Sequence, residues 1–276
     1  NIIIIPRDSG SDDKDKLNFA IKEIINNDAK IIIGPMTSSS FAELEKYNDT
    51  IFISLSNKEP KISKNVINIG ISLESQLKTI EQFLIKEKKK KTLILYPKNN
   101  YEKFIDKKIK LLKLKNFEVF KYNPDPRILT SEIEKLTNYN QRKKNLQTRK
   151  NKLKKKDEEK SKKELKILDT LYTLGSVNFD SLIIIDFGNS LKSVIASLVY
   201  ADVDDKAVLF TTVNQWFDES IFRVNLIENL YFPSVDMKQF KKYNENYFNT
   251  FELKPDEITI LAYDALGLIH YVWNKN

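Results

Sequence analysis

Cysteine is absent from the 276 residues, which excludes disulfides, thiol nucleophiles and thiolate metal sites together. Histidine occurs once, as His270, and this removes histidine-based metal clusters and most acid–base schemes. His270 lies in or beside the apolar helical pattern Leu261, Ala265, Leu268, Val272, where a packing or surface role is expected of it. No apolar run approaches the roughly 20 residues that a membrane-spanning helix needs. No G-x-G-x-x-G, P-loop or G-x-S-x-G occurs, so dinucleotide, nucleotide and hydrolase readings rest on no motif. Asp264, in Ala262-Tyr263-Asp264-Ala265, has no nucleophile, base partner or metal cluster beside it, and one carboxylate alone does no recognisable chemistry. The expectation is a non-enzyme that needs no cofactor and no metal.

The formal net charge is +8, which invites a nucleic-acid reading. Between Arg142 and Asp169, however, stand 13 Lys/Arg against 5 Asp/Glu, a surplus equal to that of the whole chain. The remainder is neutral and lacks the broad cationic face that tracking phosphates requires. No nucleic-acid partner is expected.

Strand and helix signals alternate along the chain, the mark of an α/β fold. Ile2–Ile5, Ile31–Ile33, Ile51–Ser54 and Val66–Ile69 read as strands, with a helical stripe at Leu17, Ala20, Ile21, Ile24 and Ile25. Ser39–Tyr47 reads as a helix, and another carries Leu77, Ile80, Phe83 and Leu84. Lys86–Lys91 then interrupts the pattern as a hinge between lobes would. A second series follows: strands at Thr92–Tyr96, Phe117–Tyr122, Ser181–Asp186 and Ala207–Thr211, helices around Phe104–Leu112 and Leu191–Ala201, and a short run Asn229–Phe232 stopped by Pro233. Asn123-Pro124-Asp125-Pro126 reads as irregular. Two helices close the chain, marked by Phe240, Tyr243, Tyr247, Phe251 and by Leu261, Ala265, Leu268, Ile269. This predicts two Rossmann-like lobes with parallel central sheets: residues 1–90 with 232–276, and residues 91–231. Within the second lobe, residues 131–174 are Lys-rich and nearly free of Gly and Pro, with sparse leucines at 136, 146, 153, 165, 168 and 171. One narrow apolar seam predicts a helical hairpin that reverses at Lys154–Glu159. Such an arm is either a solvated charged element or a partner-docking one.

The strand ends carry the candidate site. Ile31–Ile33 empties into Gly34-Pro35-Met36-Thr37-Ser38-Ser39-Ser40, and Ile51–Ile53 into Ser54-Leu55-Ser56-Asn57. Ligands in open α/β sheets sit at the carboxyl ends of strands, where helix N-termini offer free N–H groups. Thr37 and Ser38 can bind a carboxylate or sugar, or simply cap a helix. Ser54, Ser56, Asn57 and Lys58 are polar at the neighbouring strand end, and Asp8 lines the same rim or makes an Asx turn. Asn99, Asn100, Tyr101, Asn189, Asn214 and Trp216 are the second lobe's contribution to a small-molecule site in the interlobe cleft, Trp216 as a stacking aromatic.

These residues resemble the type I periplasmic binding proteins, the leucine/isoleucine/valine-binding class. Ile31–Ser40 resembles that family's strand, Gly turn and Ser-rich helix start; Ile53-Ser54 its strand ending in Ser; Leu93–Tyr101 its strand, polar loop and Tyr; Phe240–Phe248 and Leu261–Leu266 its closing helices. Within it, Ile5-Pro6-Arg7-Asp8-Ser9-Gly10 and the charged insertion running to Leu168-Asp169-Thr170-Leu171, Gly175 and Phe179–Leu182 are similar to the penicillin-binding-protein activator branch of lipoproteins. That resemblance implies a periplasmic, membrane-tethered protein contacting a peptidoglycan synthase. The wider family implies instead the substrate-binding subunit of an ABC importer, partnered by a permease and closing on a small solute by hinge motion. It further implies a strand and helix before Asn1, a strand after Asn276, and an upstream signal with a lipid-bearing Cys. Where amino-acid binders hold the ligand ammonium, Pro97 replaces the acidic residue and Gly188-Asn189 the aromatic region. Free amino acids are therefore not the expected ligand.

Overall fold

A computed structural model describes residues 3–10, 13–35, 44–55, 64–155, 158–214, 226–255 and 257–275. In chain order the elements are α1 (Lys14–Asn26), β1 (Ile31–Ile33), β2 (Ile51–Ser54), β3 (Val66–Asn68), α2 (Leu73–Lys86), β4 (Thr92–Pro97), α3 (Glu102–Ile109) and β5 (Phe117–Tyr122). They continue with α4 (Pro126–Leu136), α5 (Tyr139–Lys154), α6 (Glu159–Asp169), β6 (Ser181–Ile184), α7 (Gly188–Tyr200), β7 (Leu209–Thr212), α8 (Met237–Phe251) and α9 (Glu257–Lys275). The chain divides into two compact units, residues 1–75 with 234–276, and residues 76–233.

In the first unit β1, β2 and β3 form a parallel sheet in that order, with Ile32 opposite Phe52 and Phe52 opposite Val66. Side chains alternate across a strand, so Ile32 and Phe52 turn toward Leu17 and Ile21 of α1. Ile33 and Ile53 turn the other way, toward Leu261, Ala265 and Ile269 of α9. Both faces are covered, which is why these strands are apolar throughout. Asp13 starts α1 by accepting the N–H groups of Asp15 and Lys16. Gly34 ends β1 at φ +118°, open to glycine but strained for other residues.

The second unit holds a four-stranded parallel sheet, order β5-β4-β6-β7. Leu93 and Leu95 of β4, Leu182 and Ile184 of β6 and Phe210 of β7 point to one face. There they meet Leu129 and Ile133 of α4 and Leu191, Val194, Ile195 and Leu198 of α7. On the opposite face Tyr96 reaches Asp106 of α3. The expected crossing at residue 90 moves back into α2. Its side chains are engaged in the second unit: Gln76 Oε1 accepts the Asn214 N–H at 2.7 Å, Glu81 accepts the Lys113 N–H, and the Phe83 ring lies 5.1 Å from that of Tyr231.

Helices α5 and α6 form the expected hairpin, reversing between Lys154 and Glu159. Leu146, Leu153 and Leu168 fill its seam, with Leu165 and Leu174 at its margins, while Leu171 is exposed. Other expectations need correction. Residues 3–10 include no strand, and Ile3 and Ile4 are exposed; a β-branched run permits a strand, but a strand forms only where a neighbour accepts its ladder. Asn123 to Asp125 are irregular, as expected, but Pro126 already opens α4. Asp125 caps it by accepting the Arg127 N–H at 3.0 Å, and Pro126 occupies the first turn, where a missing N–H costs nothing. The expected helix at 39–47 lies largely outside the described residues.

Candidate functional site at the carboxyl edge of the second sheet

Three neighbouring parallel strands deliver polar residues to one edge. Asn99, Asn100 and Tyr101 follow β4, Asn189 follows β6 and Asn214 follows β7. The structure thus brings five of the expected residues to the carboxyl end of one sheet. They differ in availability. Asn99 is committed locally: its Oδ1 accepts the Tyr101 N–H at 2.8 Å, an Asx turn that leads into α3. Asn100 is exposed, and Tyr101 presents its ring at the N-terminus of α3 with 56% of its surface exposed. Asn189 is exposed in the first turn of α7, its carbonyl accepting the Ser193 hydroxyl at 2.9 Å. Asn214 is buried, its N–H donated to Gln76.

Two residues at this edge escaped the sequence reading. Tyr122, the last residue of β5, is fully buried and its hydroxyl donates to Asp186, just beyond β6. The other carboxylate oxygen of Asp186 accepts the Phe187 N–H at 2.8 Å. Burial above all, and then the Asp186 charge, pushes the Tyr122 phenol far above its ordinary range. The signal was available: Asp186 ends an all-apolar run, as Ser54 does.

A second polar cluster lies on the α3 side. Tyr96 of β4 donates to Asp106, and Lys121 of β5 bridges Asp106 (2.8 Å) and Glu102 (2.7 Å) with its ammonium 5.6 Å from the Tyr96 ring centre. Burial first and Asp106 second push Tyr96 up to about 12. Lys121 above all, then Tyr96, holds Asp106 below the usual carboxylate range; Asp106 and then Glu102 raise Lys121.

In the first unit, Ser54 is buried at the end of β2 and its carbonyl accepts the Ile69 N–H at 3.0 Å. Asp8 makes an Asx turn: Oδ1 accepts the Gly10 N–H at 2.9 Å, and Oδ2 pairs with Lys16 at 2.6 Å. A Cβ at Gly10 would stand 2.6 Å from Lys16 Cδ, so the turn and the ion pair require that glycine. The Lys16 ammonium, ahead of the Gly10 N–H, holds the Asp8 carboxyl below its ordinary range. Thr37, Ser38, Ser56, Asn57 and Trp216 lie outside the described residues.

Chemically, the exposed part of the edge offers amides, a phenol ring and backbone N–H groups, which can hold a ligand by hydrogen bonds. Among the described residues no group of three or more His, Asp or Glu side chains comes together as a metal site, and no helix is long and apolar enough to cross a membrane.

By sequence, neither a protein-family model nor a curated protein matches this chain. By structure, it resembles the branched-chain amino acid transporter substrate-binding protein LivJ of Streptococcus pneumoniae, solved with isoleucine. That match has a TM-score of 0.55 at 14% identity and covers 94% of this chain and 68% of that one. A periplasmic ligand-binding protein of a branched-chain amino acid ABC transporter from Burkholderia xenovorans aligns with a TM-score of 0.58 at 7% identity, covering 90% and 61%. The C-domain of LpoA from Haemophilus influenzae, a regulator of PBP1A, gives 0.46 at 10%, covering 82% and 64%. With two α/β units, each built on a parallel sheet, this chain has the fold of the type I periplasmic binding proteins.

Proposed function

We propose that the protein is a non-catalytic binding protein of the bacterial envelope, periplasmic and tethered by a lipid anchor, that regulates peptidoglycan synthesis by contact with a peptidoglycan synthase. The observation that carries this reading is the α5–α6 arm. Arg142 fixes it to the second unit, and its base exposes a short apolar run: Ile167 (65% exposed), Leu171 and Tyr172 (77%). Clustered exposed apolar and aromatic side chains mark contact surfaces, and an arm that served only to be solvated gains nothing from them. Asp8 is paired with Lys16, and Asp186, just beyond β6, accepts from Tyr122, which also favours contact with a partner over capture of a free ammonium ligand. The test is capture of a purified peptidoglycan synthase by the wild type, by an arm-deleted form lacking residues 143–169, and by Tyr172→Ala. Capture should be lost on deletion and weakened by Tyr172→Ala; equal capture by all three overturns the reading.

The substrate-binding subunit of an ABC-type importer is the second reading, favoured by the convergence of Asn99, Asn100, Tyr101, Asn189 and Asn214 on one sheet edge. A thermal-shift panel of amino acids, peptides and sugars discriminates, because a ligand at 100 times its Kd stabilises by about 2.7 kcal/mol. A response to one of them supports transport, and silence counts against it.

A further inference from the structure

Three acidic side chains of the arm are paired within it, and Glu158 is exposed near the reversal. Arg149 pairs with Glu164 at 2.6 Å, Lys150 with Asp169 at 3.1 Å and Lys163 with Glu159 at 3.6 Å. Lys144, Lys152, Lys154, Lys155, Lys160 and Lys166 are all exposed and make no ion pair among the described residues. Helical spacing sets Lys144, Lys152 and Lys155 on the side of α5 away from Leu146 and Leu153, the leucines that fill the seam. Lys154 and Lys160 flank the reversal. Among the described residues between Arg142 and Lys166 no large apolar side chain is exposed, so the distal arm presents charge with no wedge to insert.

The kind of cation is informative. Both arginines of the arm are consumed inside the molecule, Arg142 by main-chain carbonyls and Arg149 by Glu164. Every unpaired cation named above is a lysine. Arginine's planar fork suits fixed carboxylates in a protein groove, whereas a lysine ammonium is a point charge on a flexible stem that needs no fixed partner geometry. A set of exposed lysines on a helical hairpin therefore fits a fluid, diffuse negative surface better than an acidic protein pocket. With the rest of the chain neutral, the field of the molecule points that surface toward the arm.

We infer that the exposed lysine face of the α5–α6 hairpin is an electrostatic docking surface for anionic lipid headgroups. Contact is peripheral and reversible, each lysine near the surface strengthening it roughly fivefold at moderate ionic strength, and salt weakens it as the Debye length shortens. The inference rests on the arm's being a contact element and not on the identity of a synthase, whose capture assay contains no lipid; the two fail separately.

The test is co-sedimentation of the full chain with vesicles of phosphatidylcholine alone and of phosphatidylcholine mixed with phosphatidylglycerol, at low and at physiological salt. Binding is expected only to the phosphatidylglycerol vesicles, and weaker at the higher salt. The combined Lys144→Gln, Lys152→Gln and Lys155→Gln variant should lower partitioning about a hundredfold with an unchanged melting temperature. Lys238→Gln, Lys241→Gln and Lys242→Gln together, on α8, should leave it unchanged. Absence of binding to phosphatidylglycerol vesicles at low salt overturns the proposal, as does equal loss in the α8 variant. Retention by immobilised polyglutamate without vesicle binding also overturns it, and assigns the lysines to an acidic protein.

Discussion

The guanidinium of Arg142, in the first turns of α5, donates through Nη2 to the main-chain carbonyl of Ala201, the residue that ends α7. Its Nη1 donates to the Asp202 carbonyl at 3.1 Å and its Nε to the Thr137 carbonyl at 3.1 Å, at the end of α4. Last-turn carbonyls have no partner within their own helix and carry the negative end of its dipole. One buried cation, 5% exposed, thus terminates two helices and mounts a third. Burial lowers its affinity for the proton, and the Asp202 carboxylate opposes that effect. Arg142→Met keeps the bulk and strands the carbonyls, so it should destabilise the protein by roughly 1–3 kcal/mol for each one left without a donor. Arg142→Lys should recover part of the loss. Urea midpoints measure both, and a midpoint equal to wild type for Arg142→Met contradicts this account.

Tyr122 and Asp186 make the corresponding buried pair at the carboxyl edge. Tyr122→Phe removes the hydroxyl that satisfies one carboxylate oxygen and leaves the packing nearly intact. A hydrogen bond to a charged group is worth about 1.5–3 kcal/mol, and stability should fall by that amount in urea titrations. Asp186→Asn keeps an acceptor for the hydroxyl and should cost less. If Asp186→Asn costs as much as Tyr122→Phe, the carboxylate charge and not the hydrogen bond is what the edge requires.

Particular residues explain how far the fold could be read in advance. Ile51–Ser54 and Thr92–Pro97 are apolar on both faces because both faces are covered, and such a run declares itself in one dimension. The hairpin declared itself too, since Leu146, Leu153 and Leu168 keep a helical spacing in a polar segment. Ile3–Ile5 misled because β propensity says nothing of a partner strand. Pro126 misled because proline breaks a helix interior but opens a first turn. At the site, Asn99, Asn189 and Asn214 were legible as polar residues after apolar runs, but the use of each was not. Whether a polar side chain faces a ligand or its own backbone depends on turn geometry and on distant partners, such as Gln76 for Asn214 or Tyr122 for Asp186. No local pattern encodes either pairing.

The Tyr96 cluster gives a pH dependence of definite sign. An unfolded tyrosine ionises near pH 10, whereas folding pushes Tyr96 up to about 12. Within that window the unfolded chain releases a proton that the folded chain retains. Stability contributed by keeping Tyr96 neutral is complete below the lower value and is lost as pH rises toward the upper one. Tyr96→Phe should make stability fall less steeply there; Tyr122, also held above its ordinary range, remains in both proteins and cancels in the comparison, whereas Lys121, which Tyr96 helps to raise, loses part of its own shift and adds to the same flattening. At the acid end Asp106 is held low by Lys121, so its contribution is present above the usual carboxylate pKa and lost as pH falls through the lower folded value. Lys121→Met should raise the pH at which acid unfolding begins, as read by circular dichroism. A parallel curve for Tyr96→Phe in alkali contradicts the assignment.

The seam of the arm is a core of its own, since Leu146, Leu153 and Leu168 cluster apart from the leucines and isoleucines around β4 and β6. Cores with few contributors open locally at free energies below that of global unfolding. Leu153→Ala removes the member nearest the reversal, and large-to-small changes in a core cost about 2–5 kcal/mol where the site cannot collapse. That loss should fall on the hairpin alone, because Arg142 and Leu146 hold its base independently of Leu153. Amide hydrogen exchange should therefore accelerate across residues 147–166 while the amides of β4 and β6 and the main urea transition stay as in wild type. Uniform acceleration over the second unit would instead mean that the arm folds as one piece with the sheet, and that its seam stabilises the α/β body as well as the hairpin.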